Sequence, residues 1–214
     1  AIFYPEKFIK ELSKFSKKNK ILLTFDEIQA GFGRTGKLFG YMHYKVTPDI
    51  ICCGKGSSSS LPLSMVLGSK KILDIPNTGS MSSTHSANPM VCAAGYENLK
   101  FILDNNLIEK SKNLGKILNK ELNRISKKYN SINISAYGKG LVASLIFKTK
   151  KQKPLDNLCS RICEICLQRG LLLVHTGRES LKIGPPLVIS KEALLEGIKV
   201  IEEAIDLALQ DFQA

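Results

Sequence analysis

The chain has no apolar run approaching the roughly 18 residues that a membrane span requires, which predicts no membrane partner. Its first residues, Ala1-Ile2-Phe3-Tyr4-Pro5-Glu6, hold neither the basic region nor the apolar core of a secretory signal. An initiator Met is missing as well, which points to a processed protein or a piece of a longer one. The cysteines are Cys52, Cys53, Cys92, Cys159, Cys163 and Cys166, and none falls in a disulfide-scaffold pattern. All lie in apolar segments, so they are read as reduced, small core hydrophobes, and the expected compartment is the cytoplasm. Cys163 and Cys166 form a Cys-x-x-Cys, but no second pair or nearby His accompanies them, and their spacing is helical. Core packing, not a metal site, is the expectation.

Acidic residues are also scarce relative to basic ones. Lys and Arg number 31 against 19 Asp and Glu, a net charge of +12. A nucleic-acid partner would use such a charge, but it would also need stacking aromatics among the basic residues. The lysine-rich stretches 10–20, 110–128 and 148–153 hold a single aromatic, Phe15, not the series that a stacking platform requires. They are read as solvated surface, with no nucleic acid bound.

What remains is an ordinary globular composition, 43% hydrophobic and 23% charged over 214 residues, enough for one large domain or two small ones. Phe8, Ile9, Leu12 and Phe15 have helical spacing and predict a helix over 5–18. Apolar runs at 21–25 and 49–53 read as buried strands, and another run spans 63–68. A polar loop covers 74–87. Asn88 is a good N-cap and Pro89 suits a first helical position, so a helix runs from there to about 104. A second helix, about 107–129, carries Leu107, Ser111, Leu114, Leu118, Leu122, Ile125 and Tyr129 on one stripe. Strands at about 132–137 and 141–147 follow. Next come a helix at about 155–168, a strand at 171–175, the apolar-edged Leu181-Lys182-Ile183, and a last helix capped by Ser190. The composition shifts near residue 95, from strands ending in Gly-rich loops to an α+β segment. The expected class is α/β, divided into 1–95 and 96–214.

Two charged residues stand out against this background. Asp26 ends the run 21–25, and Lys55 follows the run 49–53 after Gly54, opening a loop of small residues. In an α/β sheet, ligands bind outside the carboxyl ends of strands. An amine and a carboxylate delivered there suit an aldehyde cofactor with a basic ring: Lys forms a Schiff base and Asp pairs with a pyridinium nitrogen.

Four pieces stand together: Asp26-Glu27-Ile28-Gln29 with Gly31-Phe32-Gly33-Arg34-Thr35-Gly36; Pro48-Asp49-Ile50 leading to Gly54-Lys55-Gly56; Ser83-Thr84-His85-Ser86-Ala87-Asn88-Pro89; and Pro185-Pro186-Leu187. In these the chain resembles the class III family of pyridoxal-phosphate aminotransferases, of the aspartate-aminotransferase fold (fold type I). The resemblance covers nearly the whole chain. It implies pyridoxal 5′-phosphate as cofactor and amino transfer from an amine or amino acid to a 2-oxo acid, by a ping-pong route through a Lys55 Schiff base. Asp26 matches the acid at the pyridine nitrogen, and Gln29 the residue near the phenolic oxygen. Thr84 matches a hydroxyl that reaches the phosphate of a neighbouring subunit, which implies a homodimer with shared sites. Arg34 is expected to brace its loop and His85 to be structural.

The chain departs from the family pattern in two places. Lys182 stands shortly before Pro185-Pro186 where family members commonly carry an Arg for a substrate carboxylate. Lys is a point charge without the planar fork of Arg, so either recognition is looser, another residue such as Arg178 serves, or the substrate differs. The family's chain is also about twice as long. The resemblance therefore implies the end of the large cofactor-binding domain in 1–95, without its amino-terminal half, and the small α+β domain in 96–214. A catalytically inert fragment or a non-enzymatic relic is one alternative. An aminomutase, a decarboxylating transaminase or a phospho-lyase of the same family is another.

Overall fold

The computed structural model describes residues 2–175 and 178–212. It divides into two compact units, Tyr4–Glu109 in one, and Lys110 onward with Ile2 and Phe3 in the other.

The first unit opens with helix α1, Glu6–Lys18. Glu6 in its first turn and Lys17 and Lys18 in its last turn complement the helix dipole. Strands β1, Thr24–Asp26, and β2, Ile50–Cys53, run parallel, with Asp26 beside Cys52. Strand β3, Met65–Gly68, returns antiparallel to β2, so the order is β1-β2-β3. A single helical turn α2, Lys70–Leu73, leads into the loop that precedes α3, Pro89–Asp104. The side chain of Asn88 caps α3 by accepting from the Met90 amide, and Pro89 opens the helix, as the sequence predicts.

Three expectations change in this unit. The runs at 21–25 and 49–53 read as buried strands, yet only Thr24–Asp26 pairs in the first, and Ile21 and Leu22 are exposed. Among the described residues β1 has one hydrogen-bonded neighbour, β2, so burial by this sheet reaches it from one side only. On α1 the apolar stripe is turned outward. Phe8, Leu12 and Phe15 are exposed, while Ile9, Ser13 and Ser16 are buried. Cys92, read as a core residue, is likewise exposed on α3.

The second unit matches its sequence pattern closely. Helix α4 spans Leu107–Lys128, and Leu114, Leu118, Leu122 and Ile125 are buried along it. Ser111 on the same stripe accepts the Leu141 amide at 3.3 Å. Strands β4, Asn133–Lys139, and β5, Val142–Lys148, form a hairpin that pairs from Asn133–Lys148 to Lys139–Val142. Its turn uses Gly140 at φ +55°. A Cβ on Gly115 would stand 2.4 Å from the Gly140 carbonyl oxygen, so only glycine lets α4 lie this close to the turn. Helix α5, Asp156–Gln168, is followed by β6, Val174–His175, and β7, Ser180–Ile183. The expected strand 171–175 is thus reduced to its last two residues. Helix α6, Lys191–Asp211, is capped by Ser190, whose hydroxyl accepts from the Ala193 amide.

The sheet order here is β4-β5-β7-β6, all antiparallel. One core joins α4, α5 and α6 to the inward residues Ile134, Ala143, Leu145, Phe147, Leu181 and Ile183. Cys159 and Cys166 lie inside it, and burial pushes both thiols up to about 12. Such thiols stay protonated and behave as apolar groups. None of the described helices is long and apolar enough to cross a membrane. Among the described residues, no group of three His, Cys, Asp or Glu could hold a metal ion.

Candidate active site at the carboxyl end of the parallel strands

Parallel pairing places the carboxyl ends of β1 and β2 side by side, so the register alone brings Asp26 and Lys55 to one end of the sheet. Asp26 is the last residue of β1. Its Oδ1 accepts the Ile28 amide at 3.0 Å, which starts the turn that carries Gln29. The ladder continues one step further, with the Glu27 amide donating to the Cys52 carbonyl at 2.8 Å. Upstream, the Leu23 amide donates to Asp49 Oδ2 at 2.8 Å, which ties the start of β1 to the Pro48-Asp49-Ile50 motif.

Lys55 lies two residues beyond β2, in a 3₁₀ turn, Lys55–Ser57. Its backbone adopts φ +40°, in the left-handed region that costs an L residue about 1–2 kcal/mol. Neighbouring contacts hold it there. A Cβ on Gly54 would come within 3.2 Å of Ile28, and one on Gly56 within 3.3 Å of Phe32. The Asn98 amide on α3 donates to the Gly56 carbonyl at 2.8 Å and to that of Ser57 at 3.3 Å. The Ser57 hydroxyl donates to the Leu63 carbonyl at 2.7 Å, and the Ser58 hydroxyl to that of Leu61. Gly95 lets α3 approach, since a Cβ there would overlap Leu63 at 2.5 Å. The turn also borders an apolar cavity of about 630 Å³ lined by Phe32, Phe39, Leu63, Met65 and Tyr96.

The side chains of Asp26, Gln29 and Lys55 are exposed. Among the described residues, no carboxylate pairs with Lys55 and no Lys or Arg pairs with Asp26. The two charges therefore stand at the sheet end without protein counter-ions. Amine, carboxylate and a cradle of small residues at the end of parallel strands fit an aldehyde cofactor with a basic ring.

Two residues that sequence reasoning passed over shape this site. Glu27 is buried, and its carboxylate accepts the Gly40 and Tyr41 amides, each at 2.7 Å. This one side chain closes the loop 27–41 and caps the 3₁₀ turn Gly40–His43. Burial raises its pKa above the ordinary carboxylate value, against the two amide bonds that lower it. Gly31 and Gly40 leave room for it, because a Cβ at Gly31 would lie 2.8 Å from the Glu27 carbonyl and one at Gly40 3.2 Å from Glu27 Oε2. The signal was its place beside Asp26 ahead of a Gly-rich loop. Asn98 gave none: it is one polar residue in a mostly apolar helix. Arg34 lies in the same loop, half-buried, with burial lowering its pKa.

Thr84 and His85 lie in an exposed loop whose hydrogen bonds are local, from Ser80 to Asn77, Ser82 to Gly79 and Ser86 to Ser83. Lys182 and Arg178 belong to the other compact unit. Lys182 is half-buried on β7, opposite Ser144 of β5 and Val174 of β6, and points away from the core-facing Leu181 and Ile183. Arg178 is exposed just before that strand.

The family profile described as Aminotransferase class-III matches residues 1–205. An alanine/serine racemase of Pyrococcus horikoshii is 36% identical over 203 residues, 94% of this chain and 42% of that protein. An acetylornithine/succinyldiaminopimelate aminotransferase of Photorhabdus laumondii is 35% identical over 204 residues, covering 93% and 48%. An ornithine aminotransferase of Saccharomyces cerevisiae is 34% identical over 206 residues, covering 95% and 48%. Among solved structures, an ornithine aminotransferase of Plasmodium yoelii superposes with a TM-score of 0.87 at 30% identity, covering 97% of this chain and 53% of that one. A transaminase of the marine bacterium Virgibacillus gives 0.90 at 25% identity, covering 99% and 51%. The chain spans about half the length of the curated relatives it matches. With the fold of these transaminases and a profile match over nearly its whole length, the chain belongs to the class III aminotransferase family.

Proposed function

We propose that this chain carries the carboxyl-terminal half of a pyridoxal 5′-phosphate-dependent aminotransferase, with the end of the cofactor-binding domain in 1–95 and the small domain in 96–214. The observation that carries the reading is the pair Asp26 and Lys55, both at the carboxyl ends of two adjacent parallel strands and without protein counter-ions among the described residues.

When bound, the cofactor supplies an aldehyde carbon for amines and a ring that accepts electrons. Lys55 Nζ would offer the primary amine for that aldehyde and, as a free amine, would take and return the proton at the substrate Cα. The Asp26 carboxylate holds a proton at the pyridine nitrogen by its negative charge. Gln29 orients the ring through its phenolic oxygen. The Thr84 hydroxyl binds the phosphate in the site of a neighbouring subunit. The exposed apolar residues that flank its loop, Ile75, Met81, Met90 and Tyr96, favour such a homodimer, because association would take them out of water. Lys182, assisted by Arg178, draws a substrate carboxylate as a point charge without a bidentate grip. The reaction moves an amino group from an amine or amino acid to a 2-oxo acid, in the cytoplasm. Acetylornithine and ornithine are the donors to try first, because relatives at 34–35% identity are named for them.

A racemase is a second reading, favoured by the 36% identity to the alanine/serine enzyme. Proton removal at Cα by Lys55 and return of a proton on the opposite face would give it, with no 2-oxo acid consumed.

The test is borohydride reduction after incubation with the cofactor, followed by peptide mass mapping. The expected adduct lies on Lys55, and the visible absorbance of bound cofactor disappears in Lys55→Ala. Label on another lysine, or none, overturns the assignment. With the full-length protein, glutamate formed from 2-oxoglutarate and ornithine or acetylornithine supports amino transfer. Loss of optical activity in L-alanine without glutamate formation supports the racemase instead.

A further inference from the structure

A polar cavity of about 540 Å³ opens in the second unit, between the last turn of α4 and the outer face of the β4–β5 hairpin. Its wall includes Lys127, Lys148 and Lys150, and no Asp or Glu. The charges next to it on α4 are consumed. Arg124 pairs with Glu121 and Glu202, Lys128 pairs with Glu202 and Asp206, and the Tyr129 hydroxyl donates to Asp206 at 2.9 Å. Lys127 and Lys148 have no carboxylate partner among the described residues, and Lys150 reaches only Asn133 Oδ1, at 3.3 Å. Asn133 is itself fixed, its amide donating to the Thr149 carbonyl at 3.1 Å. Three lysines without a carboxylate partner among the described residues therefore line one cavity with neutral hydrogen-bonding side chains, and its volume is within the range of small-molecule sites.

We propose that this cavity binds a small phosphate-bearing anion. The three lysines carry the same charge, so their fields add over an anion held among them. The wall has no guanidinium fork, which planar carboxylates favour; ammonium groups instead serve a tetrahedral oxyanion as point charges. Neutral side chains such as Ser135 and Gln152 can donate to the remaining oxygens. The carboxyl end of α4 opposes an anion through its dipole, so binding depends on the lysines rather than on the backbone.

Calorimetric titration of the 214-residue chain with inorganic pyrophosphate, at fixed ionic strength, tests this. The expected result is one saturable site, at least tenfold tighter than for succinate. Binding weakens at least tenfold in Lys127→Gln/Lys148→Gln/Lys150→Gln. It stays within twofold in Lys17→Gln/Lys18→Gln/Lys20→Gln, which removes the same charge from the other unit. Competition by phenyl phosphate assigns the site to phosphate esters, and its failure assigns the site to inorganic oligophosphates. Absence of saturation, or equal weakening in the two triple variants, overturns the proposal. Lys148 is half-buried on β5, so Lys127→Gln/Lys150→Gln, both at exposed positions, gives the same readout if the triple does not fold.

Discussion

The two units of this chain treat the same kinds of residue in opposite ways. From Lys110 onward, apolar periodicity ends in burial: Leu118, Leu122, Ile125, Phe147, Ile162 and Ile205 are essentially sealed from water in one core. In Tyr4–Glu109 several apolar residues stay open, with Phe15 on α1 at 58%, and Ile21 ahead of β1 and Val66 on β3 at 51%. The region from Lys110 onward satisfies its own hydrophobic pattern. Tyr4–Glu109 holds its shape through polar contacts instead, such as Glu27 on the Gly40 and Tyr41 amides and Asn98 on the Lys55 turn. The candidate chemistry sits in the unit with the smaller core. Active sites are drawn from such regions, since a residue committed to packing cannot also face a ligand.

The comparison breaks most visibly at paired phenylalanines. Phe147→Ala removes a fully buried ring and is expected to cost about 3–5 kcal/mol, read from the urea unfolding of the second unit. A loss below about 1 kcal/mol would mean that the core described here is not what holds that unit together. Glu27→Gln replaces one of the two acceptor oxygens by a donor facing an amide. It is expected to cost about 1–3 kcal/mol and to raise hydrogen exchange over residues 27–44 only. Because burial raises the Glu27 pKa, the stability its protonated form provides is complete below the ordinary value of 4.5 and is lost as pH rises through the raised value. The deficit of the variant therefore shrinks from pH 4 to pH 7, and a deficit that grows over that range contradicts the assignment.

Glu202 runs the other way. Arg124 and Lys128 hold its carboxyl down to about 2 from 4.5, so its contribution is present above pH 4.5 and fades as pH falls towards 2. Arg124 and Lys128 are 51% and 40% exposed, so screening limits the effect to about 1 kcal/mol. Denaturation midpoints of Glu202→Gln and the parent should converge at acid pH. The smallest effect belongs to Phe15→Ala. On the outward face of α1 it should change the stability of this chain by less than about 0.5 kcal/mol, a tenth of the Phe147 effect, by the same unfolding measurement.

The difference also explains what could be read in advance. The stripe of α4 named its buried face from Leu107 to Ile125, because that helix meets one core on one side. Asn88 and Ser190 announced their helices because capping is a local bond between near neighbours. Asp26 and Lys55 were legible as charged residues ending apolar runs. The same runs misled about burial, since alternation cannot tell an edge strand from a central one. The stripe of α1 predicted an apolar face correctly but not which way it would turn. Glu27 and Asn98 were missed because their partners lie 13 to 42 residues away, beyond any local pattern.

By itself, then, the sequence determined the helices, their caps, the core of the second unit and the residue types of an amine–carboxylate pair. These rest on periodicity and short-range bonding, which a linear pattern records. Only the tertiary structure decided that β1 and β2 lie parallel with Asp26 level with Cys52, that Lys55 is held at positive φ, and that a buried carboxylate closes the loop beside it. Each of these depends on contacts between distant segments and on room left by particular glycines, and such contacts exist only once the chain has folded.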